Sequence, residues 1–337
     1  MKTFSQIINT DRRNLNIDII KALAAFLVCF YHFKLLDLGI FTQGTYIPNL
    51  NMIITSICSA SVPLFFMLSG IFALRIDKGY KYYFIKSINS LKIYLIWGVL
   101  LGVIIESIHQ REITFLNIIS YIDFLWFLQT LAVLYVFSII FHKIKYKIYL
   151  KIILFFLLIY PFITNFYFDV LIFFNPKETP IHTGFFRLYS IIYFILPFYI
   201  KPCKQKIINI LIIIIGVILI NFEIYVYSNY YSVIYDGVNS SFPTIGAVLV
   251  TWGIYSLFMS FKFNTNTTTK YISYLGKNCL GIYIFHLPLI FLYREFISIE
   301  KVSLLYAIIF TFIVISLSAT IFYALNKIPY IKWTLKL

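Results

Sequence analysis

Charge is what this chain has least of: Asp, Glu, Lys and Arg make up 12% of its 337 residues, about half the share of an ordinary soluble domain. With 61% hydrophobic residues and a mean hydropathy of +0.88, a water-soluble globular protein is excluded. Acids are scarcer still, 13 against 28 basic residues. Cysteine is sparse as well. Cys29, Cys58, Cys203 and Cys279 are scattered without metal-ligand spacing, so neither a disulfide framework nor a zinc site is expected. There is no Gly/Ser linker and no internal repeat. The largest expected loop, 169–183, has only about fifteen residues, too few for a folded soluble domain. Chemistry must therefore take place within or at the edges of a helical bundle.

What the chain has is long apolar runs, which recur throughout and predict an all-α, polytopic integral membrane protein. About ten spans are expected, as one transmembrane domain over 1–337, near 17–38, 51–74, 83–106, 124–141, 149–170, 184–201, 207–228, 241–261, 271–293 and 302–326. Aromatic residues, 28 Tyr and 36 Phe among them, fit interfacial belts and helix packing. The net charge of +15 is distributed loop by loop as the positive-inside rule requires. One set of loops holds Arg75, Lys78 and Lys81; Lys143, Lys145 and Lys147; Lys201, Lys204 and Lys206; and Lys262 and Lys270, with Lys327, Lys332 and Lys336 in the tail. The other set holds Lys34, Arg111, Lys177, Arg294 and Lys301, mostly beside Glu112, Glu178, Glu295 and Glu300. Both termini are therefore expected in the cytoplasm. Topology accounts for the basicity, so nucleic acid is not an expected partner, while contact with anionic lipid is. Lys2, Arg12 and Arg13 precede an apolar run as in a signal sequence. No small-residue cleavage site follows, and an uncleaved first span is expected.

That first span carries Asp18, Lys21 and His32. An ionisable group inside a span is expensive and marks a functional site by default. On a helix, Lys21 and His32 fall within about 20° of one another around the axis and about 16 Å apart along it, with Asp18 within about 40° of His32. One face of one helix is thus polar from its inner end past its middle. By depth, His32, Glu223 (with Asn221), His286, Arg187 and Trp126 all lie toward the outer side, on different spans. Asp18 and Lys21 lie on the inner side, near Arg75, Lys78, Lys81 and Lys86. Plainer roles exist for each. Lys21 can snorkel with Asp18 as its i, i+3 partner, and a lone histidine can be a packing residue. Solvation at the interface accounts for Glu223, and Ser69-Gly70 for a small-residue helix contact.

Four local patterns resemble one family. They are Asn16-Ile17-Asp18-Ile19-Ile20-Lys21 leading to Tyr31-His32-Phe33; Phe65-Phe66-Met67-Leu68-Ser69-Gly70; Leu125-Trp126-Phe127-Leu128; and Leu275-Gly276-Lys277-Asn278 through Tyr283 to His286-Leu287-Pro288. In this order they are similar to the motifs of the acyltransferase 3 family of integral-membrane O-acyltransferases, over residues 10 to 326. Family members often carry an Arg-x-x-Arg pair entering span three; here Lys86 and Asn89 stand there, with Lys92 further on. The extracytoplasmic hydrolase-like domain fused to some members has no counterpart in this sequence.

The resemblance implies a multi-pass protein of the bacterial inner (cytoplasmic) membrane. It would move an acyl group, usually acetyl, from acetyl-CoA as co-substrate to a hydroxyl of a cell-surface polysaccharide or its lipid-linked precursor, with no bound cofactor and no metal. His32 would act as general base or as a transient acyl carrier. Lys21, with Arg75, Lys78, Lys81 and Lys86, would meet the donor's phosphates. Ser69 and Gly70 would admit the pantetheine arm, Trp126, Arg187, Glu223 and His286 would line the acceptor side, and Asp18, too far from His32 to orient it, would support Lys21. A transporter or flippase for a lipid-linked glycan or small metabolite also suits midplane ionisable groups, but no symmetry between two halves is visible. The acceptor, the oligomeric state and the side of the membrane where transfer finishes are not legible in the sequence.

Overall fold

A computed structural model describes residues 14–34, 41–42, 45–46, 50–109, 114–143, 147–161, 170, 173–174, 189–231, 242, 244–296 and 304–337. Arg187 and the basic residues Lys2, Arg12, Arg13, Arg111, Lys145, Lys177 and Lys301 lie outside them, as do the acids Glu112, Glu178 and Glu300.

The helices run α1 Leu15–Lys34, α2 Leu50–Cys58, α3 Ser61–Leu74, α4 Tyr80–Ile108, α5 Phe115–Ile122, α6 Trp126–Lys143 and α7 Lys147–Pro161. They continue as α8 Tyr189–Tyr199, α9 Lys206–Tyr231, α10 Ile245–Ser260, α11 Thr267–Lys277, α12 Cys279–Phe296, α13 Leu304–Leu325 and α14 Pro329–Leu335. A two-residue antiparallel pair, β1 Phe41–Thr42 with β2 Thr45–Tyr46, follows α1.

Among the described residues, six helical segments are long and apolar enough to cross a membrane, or seven if one bent pair is counted as a single span. The expected span 51–74 is one apolar span, Met52–Leu74, with a break in its helix, and 271–293 is sharply bent. The run 51–74 is divided between α2 and α3, because Pro63 has no N–H to bond the carbonyl of Ser59 and so belongs in a first helical turn. The run 271–293 is α11 and α12, bent by 78°. There Asn278 turns its amide back on the helix it ends, Nδ2 donating to Tyr274 O at 2.9 Å. Two further expected spans, 184–201 and 241–261, appear as the shorter apolar helices α8 and α10. Part of 149–170 lies outside the described residues.

Helix α1 is the hub, packed against α2, α3, α10, α11, α12 and α13. A helix apolar all round belongs inside a bundle. From Ile17 to Phe33 nearly every α1 side chain is buried; the exceptions are Lys21, Leu23, Phe26 and His32. Peripheral helices instead show apolar residues outward, such as Ile207, Ile214 and Ile218 on α9 and Leu305, Ile309 and Phe312 on α13. Exposed apolar surface of this extent is what lipid covers.

Polar side chains clamp the N-terminal turn of α1. Asn16 Nδ2 donates to Phe258 O and Phe261 O, both at 2.8 Å, at the end of α10. The Asp18 carboxylate accepts from Ser273 Oγ of α11 at 2.8 Å. Gly276 completes the clamp, since a Cβ there would overlap the main-chain carbonyl of Asp18. A Gly276→Ala substitution should therefore destabilise the protein by about 1–3 kcal/mol, an overpacking cost, read as a lower thermal midpoint in detergent. An unchanged midpoint would mean that α11 can shift away from α1 at no cost.

Candidate active site

A cavity of about 380 Å³ opens between α1, α3, α4, α6 and α12. Its cations are Lys21, Lys78 and Lys86, and its walls include Ser69, Phe127 and Tyr283. Three of the five cations expected at a donor site thus share one space. Arg75 is half-buried and Lys81 exposed, and neither lines the cavity. Ser69 does line it. Gly70 turns the other way, toward α8, where a Cβ would overlap the carbonyl of Phe194. Gly70 is thus a close helix contact and has no place on the cavity wall.

Local chemistry fixes where the cations stand. The turn from α3 to α4 closes on Gly79 at φ +79°, with Asp77 Oδ1 accepting from the Gly79 N–H at 2.8 Å. Tyr83 Oη, 2.8 Å from Ala73 O and 2.9 Å from His142 Nε2, pins that turn to the ends of α3 and α6. Lys78 stands in that turn, and Tyr82 and Lys86 follow at an interval of four on one side of the new helix. Lys78 Nζ lies 4.6 Å from the Tyr82 ring centre and Lys86 Nζ 5.6 Å, while Lys21 Nζ lies 5.0 Å from the Phe72 ring. Aromatic faces hold ammonium groups against an apolar wall in this way. Lys86 Nζ also donates to Leu337 O at 2.8 Å, and Leu337 forms part of the cavity wall.

From the lysines an aromatic path leads to the histidines. Phe127 and Tyr283 stack edge to face at 5.5 Å, Tyr283 lies 6.1 Å from His286, and the His286 and His32 rings are 5.3 Å apart. Cys279, Tyr283 and His286 follow one face of α12 at intervals of four and three, so the cavity's wall leads to the histidine pair. His286 Nδ1 lies 2.8 Å from Tyr283 O and 3.0 Å from Ile282 O. Carbonyls only accept, so Nδ1 carries the proton and Nε2 keeps its lone pair. That Nε2 is buried and has no hydrogen-bond partner among the described residues. A buried, unpartnered acceptor next to a second imidazole is a place for a substrate's proton-bearing group.

The chain matches a protein-family model described as an acyltransferase domain over residues 14–323, nearly its whole length. This protein belongs to the acyltransferase 3 family. It is therefore a membrane acyltransferase. Comparison with curated proteins and with solved structures gives no match.

The acyltransferase's motif residues divide between two duties. Asn16, Asp18, Gly70 and Gly276 hold helices together; Lys21, His32, Ser69, Phe127, Tyr283 and His286 face the cavity or the histidine pair. Trp126 rests 6.2 Å from Phe66 and 6.1 Å from Phe242, in the aromatic packing beside this path. Glu223 is buried on α9, a helix that packs chiefly on α10, away from the α1–α12 pair. Lys92, the cation beyond the Arg-x-x-Arg position, donates to Trp333 O at 2.7 Å and to Asn89 Oδ1 at 3.1 Å.

Sequence reasoning gave Tyr283 no role beyond its place in a motif, and it missed Arg294. Tyr283 Oη donates to Phe124 O at 3.0 Å and accepts from the Phe127 N–H at 3.3 Å, latching α12 to the start of α6. Arg294, read as a loop cation paired with Glu295, instead donates through Nη2 to the main-chain carbonyl of His32 at 2.6 Å. Nothing local reveals that Glu295 is engaged by His109 Nδ1, 2.7 Å away and 186 residues earlier. Removing the latch with Tyr283→Phe should lower stability by about 1–3 kcal/mol, because a buried amide and carbonyl lose their partner. Thermal unfolding in detergent measures this, and a loss no larger than that of a surface Tyr→Phe change would count against the latch.

Proposed function

We propose that this acyltransferase takes acetyl from acetyl-CoA and passes it to a hydroxyl of a cell-surface polysaccharide or its lipid-linked precursor. The observation that carries the reading is a cavity that holds three lysines and an aromatic wall, from which Tyr283 leads along α12 to a histidine pair. Lys21, Lys78 and Lys86 would receive the donor's phosphates, since clustered ammonium groups at a cavity mouth raise the local concentration of an anionic substrate. The pantetheine arm would run past Ser69, Phe127 and Tyr283, and the thioester would reach the histidines. Arg75 and Lys81 would add only long-range attraction. Trp126 offers a stacking face to a sugar, with Glu223 and Arg187 assigned to the same acceptor side from their depth in the sequence.

In the chemical step the acceptor oxygen attacks the thioester carbonyl while His32 takes the hydroxyl proton. Collapse of the tetrahedral intermediate breaks the C–S bond, and the proton passes to the departing thiolate. In the two-step form His32 is itself acylated and the sugar hydroxyl then attacks the acyl-imidazole, with His286 as base. An acyl-histidine carried across a gap between helices would let donor and acceptor approach from opposite faces. Loop charges support about ten spans with both termini cytoplasmic in a bacterial inner membrane, which puts the lysine end of α1 on the side where acetyl-CoA is made.

Membranes supplied with radiolabelled acetyl-CoA test this reading. Label should reach a glycan fraction with wild type and fall at least about 100-fold with His32→Ala, the scale of a lost general base; undiminished transfer would remove His32 from the chemistry. Lys86→Ala should raise the donor KM about tenfold, the worth of one charge-assisted hydrogen bond, with kcat held.

Cysteine labelling tests the donor site without turnover. Cys279 is half-buried on the cavity wall and Cys203 half-buried on the α8–α9 connection. Coenzyme A should slow maleimide labelling of Cys279, followed by mass spectrometry, and leave Cys203 unchanged. Equal rates at Cys279 with and without coenzyme A would place the donor elsewhere.

A further inference from the structure

We infer that Arg294 is a positioning residue for His32, fixing the end of α1 so that the reacting imidazole stands beside His286. The inference rests on reading His32 as the histidine that takes the proton or the acyl group.

Among the described residues α1 runs to Lys34, and His32 O lies in its last described turn. Arg294 Nη2 donates to that carbonyl at 2.6 Å from α12, the helix that also carries His286. One side chain therefore joins the main chain of one histidine to the helix of the other, and the 5.3 Å spacing of the rings depends on that joint. The guanidinium is itself held in place. Its Cζ lies 5.9 Å from the centre of the Phe291 ring, which stacks on Phe124 at 6.2 Å and meets His109 edge-on at 5.4 Å. His109 engages Glu295, the acid adjacent to Arg294 in sequence. Arg294 Nε is buried with no hydrogen-bond partner among the described residues.

Packing between α1 and α12 does not depend on this bond alone. Phe33 meets Tyr293 at 5.7 Å, and Tyr293 lies 4.2 Å from Phe310 of α13. Substitution at Arg294 should therefore leave the helices assembled and loosen only the last turn of α1.

Arg294→Ala and Arg294→Gln, in the full chain in detergent or liposomes, test the inference by two readouts. In acetyl transfer, Arg294→Ala should lose about 10- to 100-fold in kcat, the scale of a catalytic group displaced by about 1 Å. Its donor KM should stay within about twofold, as for an interaction made only in the transition state. Arg294→Gln retains one N–H for the carbonyl and should recover most of that kcat. The second readout needs no substrate. Carbethoxylation of His32 by diethyl pyrocarbonate, scored by mass spectrometry against His142, should be at least about threefold faster in Arg294→Ala as the last turn frays. Wild-type kcat together with a wild-type His32 modification rate would overturn the inference. So would a raised donor KM at unchanged kcat, which would make Arg294 a substrate-binding residue. Arg294→Gln as impaired as Arg294→Ala would transfer the effect from the hydrogen bond to the charge and overturn it too. If wild type transfers nothing from any acyl-CoA, the functional reading fails, and the His32 modification rates still decide what Arg294 does.

Discussion

The arrangement depends on burying α1 on every side. A helix surrounded by six others has almost no face left for lipid, so each polar atom on it needs a partner from a neighbouring helix or an opening into a cavity. Asn16 and Asp18 take the first solution, through the end of α10 and Ser273 of α11. Lys21 takes the second, while His32 packs against His286 and remains partly accessible. The same constraint explains why small residues sit where backbones meet, as Gly276 does against Asp18.

Function follows from which helices share that hub. Helix α12 starts after a 78° bend at Asn278. The bend turns it so that Cys279 and Tyr283 line the cavity while His286 reaches His32. A pinned turn brings Lys78 to the other end, and α4, which starts after it, brings Lys86. Neither α4 nor α12 could form the site alone: one has the cations, the other a histidine and the aromatic wall, and α1 carries one of each. The cation end and the histidine end are separated by about three turns of α1.

Much of the site was legible before any coordinates. Lys21 and His32 were placed on one face of a helix by spacing alone, and His286 at the matching depth by its distance from the span ends. Those arguments worked because helical period and membrane thickness convert sequence position into geometry. They failed wherever a helix broke. The run 271–293 has the length and hydropathy of one span, yet it bends by 78° at Asn278. Gly70 was grouped with Ser69 because the two are adjacent, yet neighbours on a helix point about 100° apart, one into the cavity and the other at α8.

The sequence by itself determined a membrane protein, its family, and the helix that carries Asp18, Lys21 and His32. Composition and period suffice for this because lipid forbids unsatisfied backbone and so permits few structures. Tertiary structure alone decided that His286 faces His32, that three of the five cations share a cavity, and that Arg294 turns to His32 while Glu295 turns to His109. These are contacts between residues separated by tens to hundreds of positions, set by how helices pack on a common neighbour. Nothing within a single apolar run encodes that choice.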